Sequence, residues 1–298
     1  VTESVVSIAN SNNPFSPNSD GTKDTTLITV TAASGQTLYL NIYDSNSSRK
    51  RMGMPLSGNG GTYTATWQGK DEYNDIVSDG TYRIKVSVGS SGDPLNESDT
   101  TTTVVVDNSA PTGSSITIDS GELYTTNTSV TLSLVANDDS NKKMRFKNSG
   151  GNWTDWEDFQ NSKSWTLTST DGSKTVSLQA KDLAGNIATA VTGSITLDKT
   201  KPSNVNLSIT GKGDTPSTYT NEVSVTLSIS AEDATSGLEY MMIANDVAFT
   251  SRSWEAYSTS KEWTLASGDD TKTVYIKVKD RAGKVSDVVS DSIILDTT

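Results

Sequence analysis

Polar and apolar residues alternate along most of this chain with the period of two that a half-buried strand imposes. The clearest runs are SVVSIA (Ser4–Ala9), TLITVTA (Thr26–Ala32), TLYLNIYD (Thr37–Asp44), TYTATW (Thr62–Trp67), TYRIKVSV (Thr81–Val88) and TTVVVD (Thr102–Asp107). Each predicts a short β-strand with one face in a core and the other in solvent. Turn clusters NSDG, SGNGG and SDG separate them. About six or seven such strands at this spacing predict an Ig-like sandwich over residues 1–107.

Beyond Asp107 a second pattern occurs twice. KTVSLQAKDLAGNIATAVTGSITLDKTKP (Lys174–Pro202) returns 98 residues later as KTVYIKVKDRAGKVSDVVSDSIILDTT (Lys272–Thr298). Lys174/Lys272, Asp182/Asp280, Gly185/Gly283 and Asp198/Asp296 keep that offset. SVTLSLVAND (Ser129–Asp138) matches SVTLSISAED (Ser224–Asp233), and MRFKN (Met144–Asn148) matches MMIAN (Met241–Asn245). A period this long is that of a whole small β domain rather than of a solenoid unit. The expected architecture is all-β: three tandem Ig-like or fibronectin-III-like sandwiches in an elongated array, over residues 1–107, 108–200 and 201–298. The linkers VVVDNSAP and ITLDKTKP each hold a proline, which stiffens the joint. The terminal LDTT looks like the same linker stopped before its proline, so a further module is expected after Thr298. Val1 opens no signal peptide, which fits a piece of a mature extracellular protein.

Composition narrows the chemistry. The chain has no Cys and no His, which removes disulfides, thiolate nucleophiles, Cys/His zinc sites and Ser-His-Asp catalysis. Its net charge of −12 disfavours nucleic acid and anionic lipid as partners and suits hard cations. No apolar run reaches membrane-spanning length. With 33% hydrophobic residues, there is enough apolar surface for narrow sandwiches.

Two resemblances follow from these residues. NPFSPNSDGTKDT (Asn13–Thr25) and WQGKDEYNDIVSDGTYRIKV (Trp67–Val86) resemble the Ig-like modules of the flagellar hook-capping protein and of bacterial secreted-protein C-termini. The two repeats resemble bacterial and archaeal Ig-like surface repeats with a W-T-L…KTV…KD-x-AGN…LD-x-T-x-P pattern, from which Lys284 departs where the second unit has Asn186. The first resemblance implies a structural module without an activity of its own.

Candidate chemistry is then confined to carboxylates. In a sandwich, the loop with Asp20 and Asp24 shares an end with the loop holding Asp71, Asp75 and Asp79, a combination that would suit Ca²⁺. At the junctions, Asp107 from the linker is expected to meet Asp138 (with Asp139 beside it) and Asp182. Asp198 is likewise expected to meet Asp233, Glu232 and Asp280. Carboxylates from two domains repel unless neutralised, and Ca²⁺ would do this while fixing the interdomain angle, as in the calcium-stiffened adhesin repeats these modules resemble. The competing reading makes the same aspartates turn formers. Both readings stand at this point.

Trp156/Trp254 and Trp165/Trp263 recur at the 98-residue offset, as packed aromatics would. Trp153 lacks a matching Trp, so Trp153 with Trp156 is the candidate surface for stacking a sugar. Asp155, Glu157 and Asp158 offer acids beside Trp156 but no deep cleft, and no catalysis is expected. The expectation is a non-catalytic, extracellular stalk segment of a larger cell-surface protein: an adhesin, surface-layer or filament component. Its partners would be neighbouring modules or other copies, with strand exchange at Ser4–Ala9 as one route to assembly. The alternative is a carbohydrate-binding accessory module of a secreted or surface enzyme.

Overall fold

The first sandwich is built from β1 (Val5–Asn10), β2 (Thr26–Ala32), β3 (Leu38–Tyr43), β4 (Arg49–Pro55), β5 (Ser57–Asn59), β6 (Thr62–Trp67), β7 (Gly80–Val88) and β8 (Glu97–Val106). One sheet runs β1-β2-β6-β5 and the other β4-β3-β7-β8. The computed structural model describes residues 5–89, 96–212 and 218–298. Inward residues of both sheets, including Ile28, Val30, Leu40, Ile42, Ile84 and Val104, form one core. Trp67 lies at its end with Phe15 and Tyr82 edge-on, each ring 5.4 Å away. The Tyr82 hydroxyl donates to the Ser78 carbonyl at 2.7 Å, which accounts for the DGTY tetrad. β1 pairs antiparallel with β2 of its own chain and buries Val5. The segment considered for exchange is thus already used within the chain; Ser4 lies outside the described residues.

The second sandwich comprises β9 (Thr112–Ile118), β10 (Tyr124–Thr125), β11 (Ser129–Asn137), β12 (Lys143–Asn148), β13 (Glu157–Asp158), β14 (Ser162–Thr166), β15 (Gly172–Lys181) and β16 (Val191–Leu197). The third repeats it with β17 (Ser203–Gly211), β18 (Tyr219–Thr220), β19 (Ser224–Glu232), β20 (Leu238–Ala244), β21 (Glu255–Ala256), β22 (Ser260–Thr264), β23 (Asp270–Asp280) and β24 (Val289–Leu295). Three-stranded sheets β14-β11-β9 and β17-β19-β22 face five-stranded sheets β10-β16-β15-β12-β13 and β18-β24-β23-β20-β21. In the second sandwich the chain changes sheet within its first excursion: β9 pairs with β11, and β10 then pairs parallel with β16. A kink with positive φ at Asp119, Ser120 and Gly121 makes that change. The chain is therefore an all-β tandem array of Ig/fibronectin-III-like sandwiches, each with its own apolar core.

This topology sets the junctions. Asp107, Asp198 and Asp296 each follow directly on the last strand of a sandwich. Asp138 and Asp233 sit just past β11 and β19; Asp182 follows β15, and Asp280 is the last residue of β23. Strands β11 and β15, like β19 and β23, deliver their C-terminal ends to the pole that meets the preceding sandwich.

Candidate metal centres at the junctions

One loop type recurs three times. Isolated bridges Lys70↔Ile76, Lys181↔Ile187 and Lys279↔Val285 each close a Lys-Asp-x-x-x-x-Ile/Val turn. In all three the Asp Oδ1 accepts the amide four residues on: Asp71 from Asp75 at 3.0 Å, Asp182 from Asn186 at 2.8 Å, and Asp280 from Lys284 at 2.8 Å. The aspartate builds its turn with one oxygen and keeps the other.

At two places the turn meets other acids. One carboxylate oxygen from each of Asp107, Asp138 and Asp182 lies within 4.8 Å of the others, and Asp198, Asp233 and Asp280 repeat the arrangement. The flanking turns have the same construction. Ser109 and Thr200 amides donate to Asp107 Oδ1 and Asp198 Oδ1. Ser140 donates to Asp138 Oδ1, and the Ser236 and Gly237 amides donate to Asp233 Oδ1. None of the six carboxylates has an ion-pair partner among the described residues.

Electrostatics register this crowding. Burial pushes the Asp107 carboxyl up to about 6 against the pull of the Ser109 amide, and the charges of Asp182, Asp138 and Asp79 add to the rise. Burial likewise raises Asp182, with Asp138 contributing, and raises Asp280, with Asp198 and Asp233 contributing.

The two triplets differ in how the remaining oxygen is satisfied. Asn186 Nδ2 donates to Asp182 Oδ2 at 2.7 Å and to the Asp107 carbonyl at 2.8 Å. Its Oδ1 accepts from Ser16 Oγ at 2.6 Å and Asn18 Nδ2 at 3.0 Å. Lys284 takes the place of Asn186 in the third sandwich, and there Asp280 Oδ2 is buried with no hydrogen-bond partner. Asp280 and Asp198 are both 0% exposed. An ionised carboxylate oxygen in that position demands a proton or a cation. The donor set is oxygen only, which suits a hard divalent ion such as Ca²⁺ rather than a metal that prefers nitrogen or sulfur.

The acids of the first sandwich's other loops do not join these groups. Asp20 Oδ1 accepts the Thr22 amide, and Asp24 accepts the amides of Asp20 and Gly21. Asp71 Oδ1 accepts Tyr73 and Asp75 amides. The combination of Asp20 and Asp24 with Asp71, Asp75 and Asp79 forms no ligand cluster among the described residues; Asp20, Asp24 and Asp71 spend oxygens on their own turns. Asp139 is not part of the triplet; it lines a junction groove of about 760 Å³ together with Asp107 and Asp138. Glu232 accepts from Asn204 at 2.7 Å.

Asp79 has a different task, which the sequence reading missed. Its carboxylate accepts from the Asn108 amide at 2.8 Å and from Ser109 Oγ at 2.6 Å. Asp171 holds Lys199 N and Thr200 Oγ1, and Asp269 holds Thr297 N and Oγ1, in the same way. Each sandwich thus clamps the segment that follows its last strand with an aspartate from the turn before β7, β15 or β23. The visible signal was an Asp in the SDG, TDG and GDD turns.

The tryptophans divide into two kinds. Trp165 and Trp263 pack on the cores and donate their Nε1–H to Asn148 and Asn245 at 2.8 and 2.7 Å. Trp153 and Trp156 lie on the opposite side of β12, where Arg145 stacks on both rings at 4.9 and 4.4 Å. Lys147 covers Trp153 at 4.8 Å and Lys181 covers Trp156 at 4.4 Å. In the third sandwich Lys277 stacks on Phe249 and Trp254 while Lys279 stacks on Trp254 and Tyr240. Two cations therefore attend each ring proposed to stack a sugar.

No protein-family model matches this chain, and none of the curated proteins matches it. Among solved structures it is similar to the FN1–FN3 domains of chicken CNTN1, at 11% identity over 98% of each chain with a TM-score of 0.33. It is similar to fibronectin(III)-like modules of Clostridium thermocellum CbhA, at 14% identity, 61% of this chain, 94% of that one and a TM-score of 0.33. A Ca²⁺-stabilized adhesin with which an Antarctic bacterium binds ice aligns at 16% identity, over 98% of this chain and 74% of that one, with a TM-score of 0.39. At these identities and TM-scores none of the three bears on what this chain binds.

Proposed function

We propose that the chain is a non-catalytic spacer from a larger extracellular protein, such as an adhesin stalk, surface layer or filament. Its modules, with boundaries at Asp107/Asn108 and Thr200/Lys201, form a rod whose joints are held by linker clamps and by Ca²⁺ among junction carboxylates. The observation that carries this reading is Asp280 Oδ2, buried without a partner between Asp198 and Asp233. Asp198, Asp233 and Asp280 would hold the ion, which would supply charge neutralisation and a tie between sandwiches. Support comes also from the clamps of Asp79, Asp171 and Asp269, which repeat after the last strand of each sandwich and serve geometry rather than chemistry. The cations over Trp153 and Trp156 count against the carbohydrate reading, because a sugar needs a free ring face.

Small-angle X-ray scattering of the full chain with CaCl₂ and with EGTA tests this reading. A rod profile in calcium that broadens into a wider set of shapes in chelator is expected. A compact particle in both, or identical curves, would sink it.

A further inference from the structure

Every feature shared by the two junctions makes their differences informative. At the first, contacts pass directly between sandwiches. Asn186 receives Ser16 and Asn18 from the loop after β1, and Lys23 Nζ donates to the Leu183 carbonyl at 2.5 Å. The approach is close: a Cβ on Gly185 (φ 113°) would stand 2.6 Å from Thr22 Cγ2. Only glycine allows that contact.

At the second junction no such direct hydrogen bond occurs among the described residues. The bonds reaching the third sandwich start in the linker: Ser236 N donates to Asp198 Oδ2 at 3.1 Å, and Lys201 Nζ meets Asp287 at 2.6 Å. Gly283, the counterpart of Gly185, has nothing within 4 Å of a built Cβ. The amide that satisfies Asp182 Oδ2 is replaced by Lys284, and Asp280 Oδ2 is left bare.

We infer that the two junctions are stiffened by different means. The first is latched permanently by the Asn186 hydrogen-bond network, and the second is a hinge that a divalent cation closes. The inference rests on the calcium reading above and narrows it to one place. Without the ion, two buried carboxylates and the half-buried Asp233 face one another across the second linker with one oxygen unsatisfied, so opening to water relieves them. With the ion, the linker's Asp198 and the third sandwich's Asp233 and Asp280 are tied together. The first junction needs no such help, because Asn186 has already spent Asp182 Oδ2.

Calorimetric titration of CaCl₂ into the full chain and its variants tests this, with circular dichroism to confirm folding. The tightest site should survive Asp182→Asn and weaken at least about tenfold in Asp280→Asn, Asp233→Asn and Lys284→Asn. The last variant restores the second sandwich's amide and takes the bare oxygen out of play. Should Asp280→Asn fail to fold, Asp233→Asn decides. Equal losses in Asp182→Asn and Asp280→Asn, or a greater loss in Asp182→Asn, would overturn the division while leaving calcium binding intact. No heat of binding in the unmodified chain would remove the calcium reading itself.

Discussion

Asn186 donates to Asp182 Oδ2 at 2.7 Å, and that single bond separates a satisfied junction from an unsatisfied one. The same side chain also reaches Asp107, Ser16 and Asn18, so it joins two sandwiches as well as one turn. Replacing it with Ala strips a buried carboxylate and a carbonyl of their donor at once. Asn186→Ala should cost about 2–4 kcal/mol, against about 1 kcal/mol for Ser16→Ala, in urea unfolding followed by fluorescence. Equal and small losses would show that the network is not a latch.

The cation between the aromatic rings changes strand from one sandwich to the next. Arg145 faces Gln179 across the β12–β15 pair and donates to its Oε1 at 3.0 and 2.6 Å. At the corresponding pair the third sandwich has Met242 opposite Lys277, and the charge is now on the other strand. Arg145→Met should destabilise by about 1–2 kcal/mol. Adding Gln179→Lys should recover part of that loss, which a double-mutant cycle measures. Additive effects would mean that a lysine at 179 does not take over the role of the Arg145 cation.

Acidity should stabilise the chelated protein over a defined window. Asp107 is raised to about 6 by burial and by Asp182, Asp138 and Asp79, so the folded chain holds its proton more tightly than the unfolded one. That contribution is complete below the ordinary carboxylate range and is lost as pH rises through about 6. Asp182 and Asp280, also raised, act in the same direction. Asp171, Asp269 and Glu97 are lowered, so their contribution fades only at more acid pH. In EGTA the Tm should therefore rise as pH falls from about 7 to about 5. A Tm that falls across this window would contradict the placement of these groups.

The linker clamps should matter most where little else holds. Asp171→Ala frees Lys199 and Thr200 at the junction without direct hydrogen bonds between sandwiches among the described residues, whereas Asp79→Ala acts where Asn186 still bridges. In EGTA, Asp171→Ala should increase interdomain motion, read by residual dipolar couplings, more than Asp79→Ala does. The reverse order would show that the first junction depends on its clamp.

Much of this architecture is written in the chain's periodicity. The alternation in SVTLSLVAND and TLITVTA marks β11 and β2, because one sheet face is buried and the other wet. Sandwich topology then places Asp107 with Asp138 and Asp182, and Asp198 with Asp233 and Asp280. Other features carry no such signal. β4, RKRMGMP, has no alternation, and β10 and β18 are two residues long and pair parallel with β16 and β24. Asp20 and Asp24 cannot be told from ligands by type, since turn-forming and metal-binding aspartates look alike in sequence. The difference between Asn186 and Lys284 was visible, but its meaning depends on which oxygen each reaches.

The most direct test of the account is a thermal melt of the full chain at neutral pH in CaCl₂ and in EGTA. An ion bound only by the folded state adds about 2.7 kcal/mol at a hundredfold excess over its Kd. The account predicts a higher Tm in calcium for the transition that includes the third sandwich, and no such gain in Asp280→Asn. An unmodified chain that melts identically in calcium and chelator would contradict it.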